Sequence, residues 1–136
     1  MQRNNLVPLH GVRSTSFGPP EGLIVFEGWD YREAEFRFEV RDRRDGGRLR
    51  AELGKVTSAY VQGVYVAGFE TVDGVPITTV WVRINDFTMH QMPMPTPGED
   101  TELVWGLHVT PPGEFTFEAI AGPFHVRASA VASPWA

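Results

Sequence analysis

The sequence contains no cysteine among its 136 residues. Disulfide frameworks, thiolate metal sites and cysteine nucleophiles are therefore excluded, and the redox compartment stays undetermined. The motifs G-x-S-x-G, G-x-G-x-x-G and G-x-x-x-x-G-K-[ST] do not occur either. Without them there is no nucleophile elbow and no phosphate cradle, so we assign no catalytic residue and no cofactor-binding residue.

Long apolar runs and an excess of positive charge are also missing. No window approaches the ~18 apolar residues of a membrane-spanning helix, and the N-terminus lacks the apolar core of a signal peptide. The net charge is −5, and the one dense basic run, RDRRDGGRLR, is interrupted by Asp42 and Asp45. Phosphate binding depends on clustered Lys and Arg. We therefore expect no nucleic-acid partner and no membrane partner.

What is present is the composition of one globular domain. Hydrophobic residues make up 42% of the chain, aromatic residues 12% and charged residues 21%, close to globular averages. A chain of this length has room for one core. The prominence of Phe, Val and Trp favours strands over helices.

Alternating apolar and polar residues mark the strands. In AEFRFEVRD, one face carries Phe36, Phe38 and Val40, as expected of a half-buried strand. The same period recurs in LRAEL, ITTVWVRI, TELVWGLHVT and the segment EFTFEAIAGPFHVRASAV, in which we predict the last strands. Residues 45–47 (DGG) and 73–74 (DG) are hairpin signals, and a short helical turn is predicted over residues 87–92. The pattern predicts an all-β, immunoglobulin-like antiparallel β-sandwich of about seven or eight strands.

The chain divides into three predicted parts. Residues 1–22 are rich in Gly, Pro, Asn and Ser and lack periodicity, which predicts an extended N-terminal arm. A floppy terminus explains the same composition. Residues 23–131 form the sandwich domain, whose first strand we place at residues 23–28, and residues 132–136 form a C-terminal tail.

The histidines give only a faint metal or enzyme signal. His108 followed by Glu114 is similar to part of the metal-binding region of cupin barrels, but the second histidine of that pattern is replaced by Thr110. A metal site needs three or four converging ligands. An enzyme on a jelly roll that uses His108, His125 and Glu114 is therefore a rival hypothesis, and the main expectation is a protein without catalytic activity or bound metal.

Two aromatic residues form a candidate contact for sugars. Trp29 and Tyr31 lie beside acidic residues between the first two predicted strands, a combination that sugar-binding modules use. The alternative is that one or both close an end of the sandwich. A carbohydrate-binding module that uses Trp29, Tyr31 or Trp81 is thus a second hypothesis for function.

Other apolar residues lie in segments that their own domain is not expected to bury fully. Trp81 alternates with Thr79 and Arg83 on an otherwise polar face, where we expect a neighbouring element or another chain to cover it. The remaining candidates lie in the arm, the proline-rich loop, the TPPGE tip or the tail. Such residues often mark contacts with other chains. The predicted interface residues are Phe17, Trp81, Met92, Met94, Pro111, Pro112 and Trp135.

The order of these segments resembles a family of small bacteriophage tail or baseplate proteins. The resemblance covers residues 28–131 and rests on AEFRFEVRD with its DGG turn, a W-x-L-x-V-T-P strand and a closing G-x-F-x-V-R strand. The matching residues are Trp105, Leu107, Val109, Thr110, Pro111, Gly122, Phe124, Val126 and Arg127. The family carries an immunoglobulin-like sandwich, similar to the N-terminal domain of the upper baseplate protein. The chain departs from it in its N-terminal arm and in lacking a receptor-binding extension.

The resemblance implies a structural virion protein of a tailed phage, in the tail tip or baseplate or at the attachment of a tail fibre. It further implies a homo-oligomer that contacts other virion proteins, has no cofactor, and is assembled in the cytoplasm of the host bacterium. A head decoration protein is a close variant.

Overall fold

The computed structural model describes residues 7–130 as eight strands and one short helix. The elements are β1 (Leu9–Val12), β2 (Leu23–Glu27), β3 (Glu35–Arg41), β4 (Leu49–Val56), β5 (Gly63–Val72), β6 (Val75–Arg83), α1 (Asp86–His90), β7 (Thr101–Thr110) and β8 (Phe117–Arg127). Within these bounds no helix is long and apolar enough to cross a membrane.

The strands follow one another in space in the order β1-β8-β7-β3-β4-β5-β6-β2. The sheet curls into two layers because β4 belongs to both of them. Its first part pairs with β3, while Lys55 and Val56 pair with β5. The groups β3-β7-β8 and β2-β6-β5 reproduce the C-F-G and B-E-D groupings of the immunoglobulin sandwich. The predicted all-β, immunoglobulin-like fold is confirmed.

The predicted antiparallel pairing describes most of the sandwich. Five of the seven pairings among the described strands are antiparallel, but β1 pairs parallel with β8 and β4 pairs parallel with β5. The β1–β8 pairing lies at an edge of the sheet, and the β4–β5 pairing lies where the sheet passes from one layer to the other. Local turn signals identify hairpins only, and hairpins are antiparallel.

The predicted alternation places the core correctly. The inward residues of β3 and the inward residues of β6 and β7 are almost fully buried, while their neighbours along each strand face outward. The core of these strands, together with Ile84 directly after β6, consists of Phe36, Phe38, Val40, Val80, Val82, Ile84, Leu103, Trp105, Leu107 and Val109. The two layers bury these faces against each other, as a sandwich requires.

The hairpin signals are also confirmed. Asp73 and Gly74 connect β5 to β6 and both have positive φ, 52° and 80°. This is the requirement of a two-residue type I′ turn, which Asp-Gly meets with little strain. Gly46, in the predicted turn before β4, has a φ of 67°.

Residues 7–22 are not the extended arm that their composition predicts. Leu9–Val12 form a strand of the sheet, and Phe17 pairs with Ile84 and packs on the Phe124 ring at 5.2 Å between centroids. Phe17 is 4% exposed. A segment without alternating apolar residues can still pair and pack with the sheet. Amino-acid composition does not reveal such contacts.

The last strand continues through a proline. Val7 N–H donates to Ala121 O and Arg13 N–H donates to Arg127 O. The odd-numbered residues of this part of β8 therefore direct their backbone N–H and C=O groups toward β1. Pro123 has no N–H to offer on that side. The Val7 carbonyl instead accepts a hydrogen bond of 2.8 Å from Nε1 of the buried Trp105. The indole thus holds the start of the described chain where the backbone ladder has no donor.

Candidate functional site

The two candidate sugar contacts lie at the end of the sandwich where the β2–β3 and β7–β8 connections meet. Trp29 and Tyr31 stack with ring centroids 6.0 Å apart and an interplanar angle of 1°. Tyr31 also contacts Phe26 edge-on at 5.2 Å and Phe117 at 6.3 Å. We call Phe26, Trp29, Tyr31 and Phe117 the aromatic end.

The members of the aromatic end differ in exposure. Trp29 is 60% exposed, whereas Tyr31 is 6% exposed and belongs to the core. Tyr31 therefore closes the end of the sandwich, and Trp29 presents a flat face to solvent. Burial raises the pKa of the Tyr31 phenol, and the charge of Glu114 on the facing loop raises it further. The phenol stays neutral at physiological pH.

A buried hydroxyl positions the loop that carries Trp29. Thr78 is fully buried, and its Oγ1 accepts a hydrogen bond of 2.9 Å from Tyr31 N–H and donates one of 2.8 Å to Trp29 O. Asp30 lies between these residues and faces outward, where its hydrogen bonds from Arg32 lower the pKa of its carboxyl to about 2. The Arg32 guanidinium in turn covers the Phe69 ring at 3.7 Å.

We expect Thr78→Val to lower the free energy of unfolding by about 2–4 kcal/mol, because it leaves the buried N–H of Tyr31 and the partly buried C=O of Trp29 without the hydroxyl that each is bonded to. Thr78→Ser keeps the hydroxyl and should cost less than half as much. Urea titrations of both variants measure the difference. Equal losses in the two variants would contradict the role assigned to the hydroxyl.

A second surface lies on the outer side of β2, β6 and β5. Leu23 pairs with Trp81 and Val25 pairs with Thr79, so these side chains share one face. Tyr65 pairs with Trp81 from the other side, with ring centroids 5.9 Å apart. We call Leu23, Val25, Tyr65, Ile77 and Trp81 the Trp81 face.

The Trp81 face consists of apolar side chains that remain partly exposed to solvent. Leu23 is 43% exposed and Val25 47% exposed. Sequence alternation placed Trp81 on an otherwise polar face with Thr79 and Arg83, where a neighbouring element or chain was expected to cover it. In the fold Trp81 is half-buried. The neighbours that make the face apolar come from β2 and β5. An apolar patch at a sheet edge is typical of an interaction surface.

The opposite outer side, on β3, β7 and β8, is charged. Arg37 and Arg41 both donate to Glu39, at 2.6 and 2.9 Å, Arg37 also pairs with Glu52, and Arg44 donates to Glu118 at 2.9 Å. Apart from Glu52, these residues line an open cavity of about 260 Å³ that includes Gly106 and His108. The cavity's three arginines and three carboxylates balance in charge. We assign no ligand to it.

The lowered pKa values of two carboxyl groups near this charged side lead us to expect a loss of stability in acid. Burial raises the pKa of Glu39, but hydrogen bonds from Arg37 and Arg41 outweigh this and lower it; the Arg50 hydrogen bonds lower the pKa of Asp42. A carboxyl group whose pKa is lower in the folded state stabilises the fold at every pH above its unfolded-state pKa. That stabilisation is lost as the pH falls through the folded-state pKa. We expect unfolding to become easier below about pH 4. Asp42→Asn should reduce the difference in urea midpoint between pH 6 and pH 3; an unchanged difference would contradict this.

Two of the predicted interface residues are covered by their own chain. Phe17 and Met92 are 4% and 1% exposed and belong to the hydrophobic core, so in this fold they have no surface for another chain. Met92 is held between the end of α1 and the sandwich, where its carbonyl accepts a hydrogen bond of 2.9 Å from Arg13 Nε. Their prediction is corrected: a proline-rich loop and an aperiodic segment still pack on the core.

The remaining predicted interface residues are distributed over the surface. Met94 is 65% exposed, Pro112 is exposed and Pro111 half-buried at the β7–β8 connection, and Trp81 is half-buried on the Trp81 face. Trp135 lies outside the described residues. Exposed Phe115, at 94%, and Tyr60, at 87%, were not predicted, since nothing in their local pattern separates them from core aromatics.

The histidines of the rival enzyme hypothesis are not brought together. His108 pairs with Glu118, whereas His125 pairs with Glu102, six positions away along β7, which separates the two by about 20 Å. His125 stacks instead on His10 of β1, with ring centroids 4.9 Å apart. Among residues 7–130 no three His, Asp or Glu side chains are arranged to hold a metal ion.

Comparison with known proteins identifies no family. No protein-family model matches the sequence, and no curated protein matches it significantly. Among solved structures, the chain is similar to the crystal structure of the periplasmic chaperone SfaE, with a TM-score of 0.39 and 10% sequence identity. The match covers 96% of this chain but 58% of the chaperone chain. Similarity at this level transfers no function.

Proposed function

We propose that this chain is a non-enzymatic structural virion protein of a tailed bacteriophage that works through contacts with other protein chains. Its place would be the tail tip or baseplate or the attachment of a tail fibre, with a head decoration protein as the close variant. Assembly would take place in the cytoplasm of the host bacterium. The resemblance in strand and turn motifs described above supports the phage assignment.

The Trp81 face is the observation that carries the interaction role. It combines a central tryptophan, two apolar residues near half exposure and the outermost strand of the sheet. Covering apolar surface yields about 25 cal/mol per Å² before the loss of freedom on association is subtracted. Trp and Tyr at the centre of a patch are typical of the residues that dominate protein interfaces.

The test is whether the chain is part of purified particles. Particles from a strain that encodes the chain are isolated on a density gradient and analysed by mass spectrometry. They are then labelled with a gold-conjugated antibody against the chain. Label at the tail tip supports the main proposal, and label on the head supports the decoration variant. Particles that lack the chain altogether overturn both.

A carbohydrate-binding module is the second candidate, because the aromatic end presents Trp29. The ring of Trp29 lies parallel to the Tyr31 ring and is 60% exposed, and the Asp30–Arg32 pair beside it supplies hydrogen-bonding groups. A flat, exposed aromatic ring flanked by polar groups is suited to stack on a sugar ring.

Glycan-array binding tests this candidate directly. Binding that disappears in Trp29→Ala but persists in Phe115→Ala would support it. Phe115 is the matched control because it is a more exposed aromatic ring, at 94% against 60%, in the β7–β8 connection. Absence of binding by the unaltered chain to any glycan, or equal loss in both variants, would remove the candidate.

A further inference from the structure

The two outermost strands of the sheet differ in how their free edges are protected. On β1, the outward N–H of His10 donates to Glu21 Oε1 at 2.8 Å and the Val12 carbonyl accepts from Thr15. β2 has no such cover over its central residues within the described chain. Its sequence, LIVFE, also lacks the Lys, Pro or bulge with which proteins usually block an edge.

The hydrogen-bond phase of β2 shows which groups face outward. Val82 N–H donates to Gly22 O and Gly28 N–H donates to Pro76 O, so the even-numbered residues of β2 bond to β6. The odd-numbered residues Leu23, Val25 and Glu27 therefore direct their N–H and C=O groups toward the free edge. Leu23 N–H is already bonded to Pro20 O. The Val25 groups and those of Glu27 remain available to another strand.

We propose that β2 pairs with β2 of a second copy of this chain, antiparallel and around a two-fold axis at Val25. A two-fold axis makes the pairing antiparallel and places each residue opposite its symmetry equivalent. Val25 of each copy then exchanges N–H···O=C bonds with Val25 of the other, and Leu23 lies opposite Glu27. The Trp81 faces of the two copies become one continuous apolar surface.

Charge complementarity identifies the second copy as the occupant. Glu27 and Arg83 both lie on the outer side, near opposite ends of the Trp81 face. Neither side chain has a hydrogen-bond or ion-pair partner between residues 7 and 130. In the two-fold arrangement, Glu27 of one copy comes within about 12 Å of Arg83 of the other between Cα atoms. Extended side chains close that distance, and symmetry forms the pair twice.

The dimer deepens the proposed function and rests on it, because it names one partner in the assembly. Sedimentation of the purified full chain should give twice the chain mass of 15.2 kDa. Val25→Pro removes an outward N–H and leaves the ladder to β6 intact. It should weaken dimerisation at least about tenfold, while Val25→Thr, which keeps the N–H, should not. Circular dichroism checks that both variants fold.

Charge reversal tests the register separately. Glu27→Arg places two arginines together and should weaken the dimer about tenfold. Adding Arg83→Glu to that variant should restore the unaltered affinity. Failure of the double variant to recover overturns the two-fold register.

Cross-linking provides a third measurement, since the chain has no cysteine of its own. Val25→Cys should form an intermolecular disulfide under mild oxidation, because residues opposite each other in a hydrogen-bonded pair are about 5.5 Å apart between Cα atoms. Thr79→Cys, on the same face but one strand further from the axis, should not. A chain that stays monomeric, or a dimer unaffected by Val25→Pro, overturns the proposal. If the chain is part of virions but is monomeric, the β2–β2 interface is overturned and the proposed function stands. If the chain is a dimer but is absent from virions, the proposed function is overturned and the interface stands.

Discussion

Replacing Phe17 by alanine should lower the free energy of unfolding by about 3–5 kcal/mol, the range for truncating a buried phenylalanine. Phe17 is 4% exposed, packs against the Phe124 ring at a tilt of 51° and exchanges backbone hydrogen bonds of 2.9 Å with Ile84 in both directions. Truncation leaves a cavity between the β1–β2 connection and β8. Urea unfolding followed by tryptophan fluorescence gives the value.

The matched control is Phe115→Ala. Phe115 is 94% exposed, so its removal should change the free energy of unfolding by no more than about 0.5 kcal/mol. If residues 7–22 were a free arm, Phe17→Ala would be equally harmless. Similar small effects of the two substitutions would show that this segment is not part of the folded body.

Replacing Gly122 by alanine should cost about 2–4 kcal/mol, from overpacking and the loss of a hydrogen bond. A Cβ at this position would overlap the backbone of Val7, chiefly its carbonyl. That carbonyl accepts from Trp105 Nε1, so the substitution displaces the segment that the indole holds. We expect the amide hydrogens of Leu9–Val12 to exchange faster in the variant, as measured by mass spectrometry.

Gly54→Ala is the control for this substitution. No atom lies within 4 Å of a Cβ built at Gly54, whose φ is not positive. Alanine there should be neutral or slightly stabilising, since glycine weakens a strand through its backbone entropy. Unchanged exchange in Gly122→Ala would mean that Val7 does not depend on the close approach.

The elements that could be predicted from sequence are those whose signal is local. Phe36, Phe38 and Val40 alternate within one strand, and Asp73-Gly74 specifies a turn by its own backbone preference. Neither needs knowledge of a distant segment. The same holds for the short helix, predicted over residues 87–92 and found at Asp86–His90, where the strand pattern stops.

The candidate sites were predicted only in part, because each is assembled from segments far apart in the chain. Trp29 and Tyr31 were singled out together, yet Thr78, which is bonded to both, lies 49 and 47 positions away. Trp81 was expected on an otherwise polar face, with an unidentified neighbour covering it. Pairing with β2 and β5 shows that these neighbours are Leu23 and Tyr65.

By itself the sequence determined an all-β body with an alternating core, tight Asp-Gly turns and no thiol chemistry, since these depend on residue type and short-range spacing. Only the tertiary structure decided that residues 7–22 pack on the core, that Phe17 and Met92 are internal, and that β2 is the open edge. The physical reason is that burial and strand partnership are set by which distant segments meet. The alternation of residues along a strand shows which face of the sheet a side chain lies on. The curl of the sheet decides which other residues cover that face.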